Sequence, residues 1–93
     1  MVDYNNVHVI IEYQGVVYRM RGMEFVEEIA DRGDPIDHKI DYTDYYVLLE
    51  KKGKRTLAGL CDIGDIFYFA VADLLAKKKL DRFKTDEKPS IEE

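Results

Sequence analysis

The residues best suited to chemistry lie in the middle of the chain. Asp31, Asp34, Asp37, Asp41 and Asp44 follow one another at spacings of three, three, four and three, with His38 among them. Clustered carboxylates are what a hard divalent cation requires, because their oxygens replace its lost hydration. On an unbroken helix this spacing would line one face. Gly33 and Pro35 interrupt any such helix, and no Asp-x-Asp-x-Asp-Gly loop ending in Glu is present. The run reads as a solvated acidic segment, and no metal site is assigned to it. Its expected use is electrostatic. Asp34, Asp37, Asp41 and Asp44 offer carboxylates to a basic protein surface. Tyr42 and Tyr45 add large contact area at low entropic cost. These residues are the expected partner-binding set.

A second group has the opposite sign. Lys51-Lys52-Gly53-Lys54-Arg55 reads as a basic hairpin tip, and Lys77-Lys78-Lys79 follows later in the chain. A β-ribbon of this kind can track a phosphate backbone. Nucleic-acid contact through Lys51, Lys52, Lys54, Arg55, Lys77 and Lys78 is therefore the alternative function. The competing explanation is that lysines at a hairpin discourage edge-to-edge aggregation.

Nucleophilic chemistry is poorly served. A cysteine nucleophile needs a base within reach and an electropositive setting. Cys61, the single cysteine, stands between Leu60 and Asp62-Ile63, and His8 and His38 are the only histidines. Cys61 reads as a small buried hydrophobe, and His8 as a strand histidine. One cysteine excludes an internal disulfide and any zinc site built on paired cysteines. The glycines are single and spaced as turns and caps, so no phosphate-cradling loop is formed. With no acid–base or nucleophile set to assemble, the chain is expected to be no enzyme and to use no cofactor.

Leu57-Ala58-Gly59-Leu60-Cys61-Asp62-Ile63-Gly64-Asp65 resembles the LAGLIDADG motif of homing endonucleases in its first four letters and its sixth. In that family the eighth letter is a metal-binding carboxylate; here it is Gly64, with Asp65 one place late. The resemblance covers nine residues, breaks at the catalytic letter and implies no nuclease activity.

These groups depend on the elements that carry them. A chain of 93 residues and 10.9 kDa holds one core. The expected domain spans residues 1–84, followed by a polar, frayed tail over 85–93. Composition, at 46% hydrophobic and 35% charged, is that of an ordered globular domain. No run of eighteen apolar residues exists, so no membrane partnership is expected. The opening Met1-Val2-Asp3-Tyr4-Asn5-Asn6 lacks a basic segment and apolar run, which gives a cytoplasmic expectation. Net charge is −5, unevenly placed: residues 1–50 carry 4 basic and 11 acidic groups, residues 51–93 carry 10 and 8.

Alternation of apolar residues predicts strands over 7–13 and 16–21, joined at Gln14-Gly15. From Met23 the period becomes helical, with Phe25, Val26, Ile29 and Ala30 on one stripe and Gly33 as the stop. Asp34-Pro35-Ile36-Asp37 reads as a short helix or a loop. A second hairpin spans 45–61, turning at Lys52-Gly53. Val9-Ile10-Ile11-Glu12-x-x-Gly15 matches Val47-Leu48-Leu49-Glu50-x-x-Gly53 at an offset of 38. The expected fold is α+β and two-layered, with a four-stranded antiparallel sheet in ββα-ββα order and helices on one face.

The last helix, capped by Asp62 and stapled by Cys61 and Ile66, is apolar almost all round: from Ile66 to Ala76 only Asp73 is not apolar. Ile66, Phe67, Tyr68, Phe69, Val71, Leu74 and Leu75 are its expected core or dimer residues. One sheet covers one flank only, so a homodimer is expected to cover the other, unless the first helix and the Tyr42–Tyr46 segment do so. The expected function is that of a small acidic intracellular interaction protein. It would be an adaptor, regulator or inhibitor of the viral or mobile-element type.

Overall fold

Two tight turns set the sheet. Gln14 and Gly15 take φ of 51° and 77°, and Lys52 and Gly53 take 52° and 79°. Positive φ at both central residues gives a turn whose twist matches that of hairpin strands. In a computed structural model describing residues 2–90, each turn joins two antiparallel strands. β1 (His8–Tyr13) pairs with β2 (Val16–Arg21), and β3 (Tyr45–Lys51) with β4 (Lys54–Ala58). β1 and β3 also pair antiparallel, giving the order β2-β1-β3-β4. The chain is an α+β protein in ββα-ββα order, as its periodicity predicts.

Register divides the residues between two faces. Ile11 stands opposite Tyr18 on one side and Val47 on the other. This inner face joins one core with Phe25 and Ile29 of α1 (Gly22–Ala30), and with Val71 and Leu74 of α3 (Asp65–Ala76). Ile10, Val17 and Leu48 point the other way and form a separate small cluster with Tyr46.

α1 begins at Gly22, one residue earlier than the periodicity indicates. The Arg21 amide donates to Glu24 Oε1 at 2.9 Å, which closes the first turn. Gly22 also donates to the Val7 carbonyl at 2.8 Å. The helix ends with Asp31 as its cap, donating to the Glu27 carbonyl, so Gly33 (φ 76°) lies beyond the cap instead of forming it. Residues 34–37 form no helix and belong to an irregular connection.

The return strand expected to reach Cys61 stops at Ala58, because Leu60 and Cys61 are already helical, and the C-terminal helix expected to follow is broken in two. α2 (Leu60–Ile63) and α3 are separated by Gly64, at φ 86° and ψ 153°. Glycine enters that region at little cost, so the chain turns there. Asp62 consequently sits inside α2, where its carboxylate accepts the Gly59 amide at 2.7 Å, and it does not cap α3. The same break turns Cys61 outward: it is exposed, not buried. Ile66 is 70% exposed, so the expected staple between them does not form.

The far flank of α3 is covered largely from within the chain. Phe67 lies edge-on to Phe25 at 6.0 Å and tilted against Tyr4 at 5.7 Å. Tyr68 stacks on Tyr45 at 5.3 Å. The segment from Lys84 to Ser90 runs against the sheet, beginning with an antiparallel bridge between Lys84 and Tyr18. The Thr85 amide donates to the Val17 carbonyl at 2.9 Å, and the Ser90 amide to Glu12 Oε2 at 2.9 Å. Of the sequence's polar tail, residues 91–93 lie outside the described residues.

A Cβ on Gly22 would meet the backbone carbonyl of Tyr4 at overlapping distance. Backbone yields less readily than a side-chain tip. Gly22→Ala is therefore expected to cost about 1–3 kcal/mol, as overpacking does. The check is the chemical-denaturation midpoint; a midpoint equal to that of the parent would show that the 4–22 contact gives way freely.

Candidate functional site

The connection from α1 to β3, residues 31–44, carries no helix or strand. A connection this long is held by its side chains and carbonyls or it does not hold. α3 and the residues after it supply the anchors. Lys77 Nζ donates to the Arg32 carbonyl at 2.5 Å and also to that of Asp34. Lys79 Nζ donates to the Asp31 carbonyl at 2.8 Å. His38 Nδ1 accepts the Ile40 amide at 3.2 Å, which places the imidazole proton on Nε2, 3.1 Å from Asp73 Oδ1. Ile40 packs against the core, and the Tyr68 hydroxyl donates to the Tyr42 carbonyl at 3.3 Å.

The acidic loop ends in a self-made turn. Asp44 Oδ2 accepts the Asp41 amide at 2.8 Å, and Asp41 Oδ1 accepts the Tyr42 amide at 2.7 Å. These bonds fix Tyr42, whose ring meets Phe69 of α3 edge-on at 5.9 Å. Tyr42 remains 47% exposed and Phe69 46%. Asp65 and Asp73 stand four residues either side of Phe69 on α3, so they share its face. The result is an aromatic and aliphatic flank of Tyr42, Phe69 and Ile66 bordered by carboxylates.

Asp34, Asp37, Asp41, Tyr42 and Asp44 are exposed. None of these four carboxylates enters an ion pair among the described residues. Tyr45 differs. It is 1% exposed, and its hydroxyl donates to the Tyr68 carbonyl at 2.8 Å. Burial pushes its phenol well above the usual range. As the first residue of β3 it takes the inner face, so it supports Tyr42's surroundings but cannot touch a partner. Of the α3 residues, Tyr68, Val71, Leu74 and Leu75 are buried and Phe67 is half-buried, while Ile66 and Phe69 open outward. The sequence offers the Tyr42–Tyr46 segment as a cover for the helix but does not make Phe69 part of the binding surface. The signal was present: Phe69 falls on the helix side opposite Val71 and Leu74.

The basic tip is divided. Arg55 is committed within the fold: Nε donates to Glu50 Oε2 and Nη2 to Glu87 Oε1, both at 2.8 Å, and Nη1 to Ser90 Oγ at 3.0 Å. Glu50 receives Arg19 as well, at 2.5 Å. The paired guanidiniums, Arg19 first, hold the Glu50 carboxyl down at about 2, against an ordinary 4.5. Lys51, Lys52 and Lys54 are exposed and form no ion pair among the described residues. Lys77 is taken by the loop. Lys78 is exposed and left-handed at φ 59°.

Cys61, His8 and His38 are not hydrogen-bonded to one another among the described residues; His38 is engaged with Asp73. Among the described residues no three His, Cys, Asp or Glu side chains converge to hold a metal ion. No helix there is long and apolar enough to cross a membrane. No known protein family, curated protein or solved structure matches the chain.

Two outcomes follow from these contacts. Lys78 and Lys79 close α3 with amides donated to the Leu75 and Leu74 carbonyls at 3.1 and 3.0 Å, a closure that requires Lys78 itself to be left-handed. Lys78→Gly is expected to add about 1 kcal/mol of stability, because glycine occupies that region without strain; a lower thermal midpoint would contradict it. Glu50 is ionised at lower pH in the fold than unfolded. Its contribution is complete above pH 4.5 and is lost as pH falls from there towards 2. At neutral pH Glu50→Gln should cost about 2 kcal/mol, the worth of charge-assisted hydrogen bonds, and the deficit should shrink on acidification. A deficit constant from neutral pH to acid would sink this assignment.

Proposed function

We propose that the protein is a non-enzymatic interaction module of adaptor, regulator or inhibitor type, acting inside the cell. It binds a basic protein segment across the flank of α3 and the 31–44 loop. The observation that carries the reading is the Tyr42–Phe69 contact, whose rings, each about half exposed, meet edge-on where α3 meets a loop whose Asp34, Asp37, Asp41 and Asp44 form no ion pair among the described residues. Interfaces anchor on buried aromatic centres and take specificity from charged rims. A segment with apolar anchors for Phe69 and Ile66, and Lys or Arg for Asp34 and Asp37, complements both features.

Self-association through the same flank is the second reading, favoured by Ile66 at 70% exposure. It brings two acidic loops together, which costs Coulomb energy. Nucleic-acid binding has less support, because Arg55 and Lys77 are already committed within the fold.

The test is an amide-shift titration with two peptides of equal apolar content, one rich in lysine and one in glutamate. Only the basic peptide should move residues 34–44 and 65–73, and its affinity should fall with added salt. Ile66→Ser with Phe69→Ser should weaken binding by about tenfold. Dimerisation would instead strengthen with salt. Equal response to both peptides, or a response mapped elsewhere, would overturn the proposal.

A further inference from the structure

We propose that a cleft beside the β3–β4 turn binds a small soluble anionic amphiphile, a molecule with one acidic head on a flexible apolar body. The cleft is a shallow one, open to solvent, of about 640 Å³, a volume within the range of small-molecule sites. Val2, Val7 and Leu49 line its apolar part, and Lys51, Lys52 and Lys54 its basic part. The reading is independent of the acidic flank.

Register explains how the two parts meet. Leu49 stands opposite Thr56, and Lys51 opposite Lys54. Side chains two apart share a sheet face, so both lysines continue the inner face on which Leu49 packs. Both line the cleft and are exposed, an arrangement that lets an aliphatic stem lie on apolar surface while the ammonium stays in water.

Charge gives the ligand's sign. Like charges directly opposite on paired strands are unfavourable. Yet Lys51 and Lys54 face each other, with Lys52 between them in the turn. The chain holds 19 acidic residues, but among the described residues none forms an ion pair with these lysines. Asp3, also in the lining, is turned to its own neighbours: its carboxylate accepts the Asn5 amide at 3.1 Å and Asn6 Nδ2. Protection of a sheet edge accounts for Lys54, on the edge strand β4, but not for Lys51, which lies on β3, an interior strand.

The lining offers nothing for a nucleobase. Bases are held by stacking on aromatic rings, and among the described residues no aromatic lines this cleft. Aliphatic walls under a basic rim suit an alkyl chain ending in a carboxylate or similar acid.

The experiment titrates the full chain with decanoate below its micelle concentration and follows amide shifts. Saturable shifts are expected at Val7, Leu49, Lys51 and Thr56. Acetate supplies the head alone and decanol the chain alone, and each should bind far more weakly. Lys51→Gln with Lys54→Gln should weaken decanoate by about tenfold. Both lysines are exposed and unpaired, and their mutual repulsion is relieved, so the unfolding midpoint should hold or rise. Thr56→Glu, placing a carboxylate in the lining, should remove binding. Equal affinity for decanol or acetate would overturn the proposal, as would full affinity in the double variant. So would binding confined to anionic vesicles or to an oligonucleotide, with free decanoate inert.

Discussion

β1 is buried on both faces, and the rest of the molecule is arranged around that constraint. Val9, Ile10 and Ile11 are each fully buried although they point alternately inward and outward. Each large apolar side chain taken from water contributes about 1.5–3 kcal/mol, so neither side of this strand can be left open. A hairpin alone covers neither. The helices close the inner face through Phe25, Val71 and Leu74. The outer face lies beside the Lys84–Ser90 segment, whose bonds to Val17, Glu12 and Arg55 tie it to three different strands.

That arrangement governs which charges remain available. Arg55 and Arg19 close on Glu50, with Glu87 joining Arg55. Lys77 and Lys79 secure the acidic loop by its carbonyls, not its carboxylates. The carboxylates of Asp34 and Asp37 are therefore left without ion pairs even though two lysines lie against their segment. A loop held by its backbone presents its acids outward, whereas one held by its acids would have neutralised them. The anchoring chemistry is thus what makes the 31–44 segment an electrostatic surface.

The hairpins were legible because alternation and turn glycines are local signals: Gln14-Gly15 and Lys52-Gly53 adopt nearly the same angles, as their matched sequences imply. The helix break was less so. Gly64 stands within an apolar run, and reading its neighbours as one helix hid the positive φ that turns Cys61 and Ile66 outward. Strand order was not legible, since each hairpin is self-consistent and only the β1–β3 pairing orders them. The path of residues 84–90 was hidden for a different reason. It depends on polar bonds to residues up to 78 positions away, as between Ser90 and Glu12, and such residues carry no periodic pattern. Tyr45 and Tyr42 read alike in sequence. Only strand register separates the buried phenol from the exposed one.

The same register bears on how the two proposed surfaces relate. β3 contributes to both, with Tyr45 behind the acidic flank at its start and Lys51 in the basic cleft at its end. The six steps from Tyr45 to Lys51, at about 3.3 Å each, place the sites roughly 20 Å apart along one central strand. That exceeds the roughly 8–10 Å over which exposed charges act on one another at moderate salt. The surfaces can therefore keep opposite signs without cancelling. Low salt lengthens that reach to about 30 Å, and the lysines would then begin to offset the carboxylates. Attraction of a basic partner to the flank should accordingly rise less steeply on dilution of salt than its own carboxylates alone would dictate. The uneven sign along the chain becomes, through β3, a separation in space.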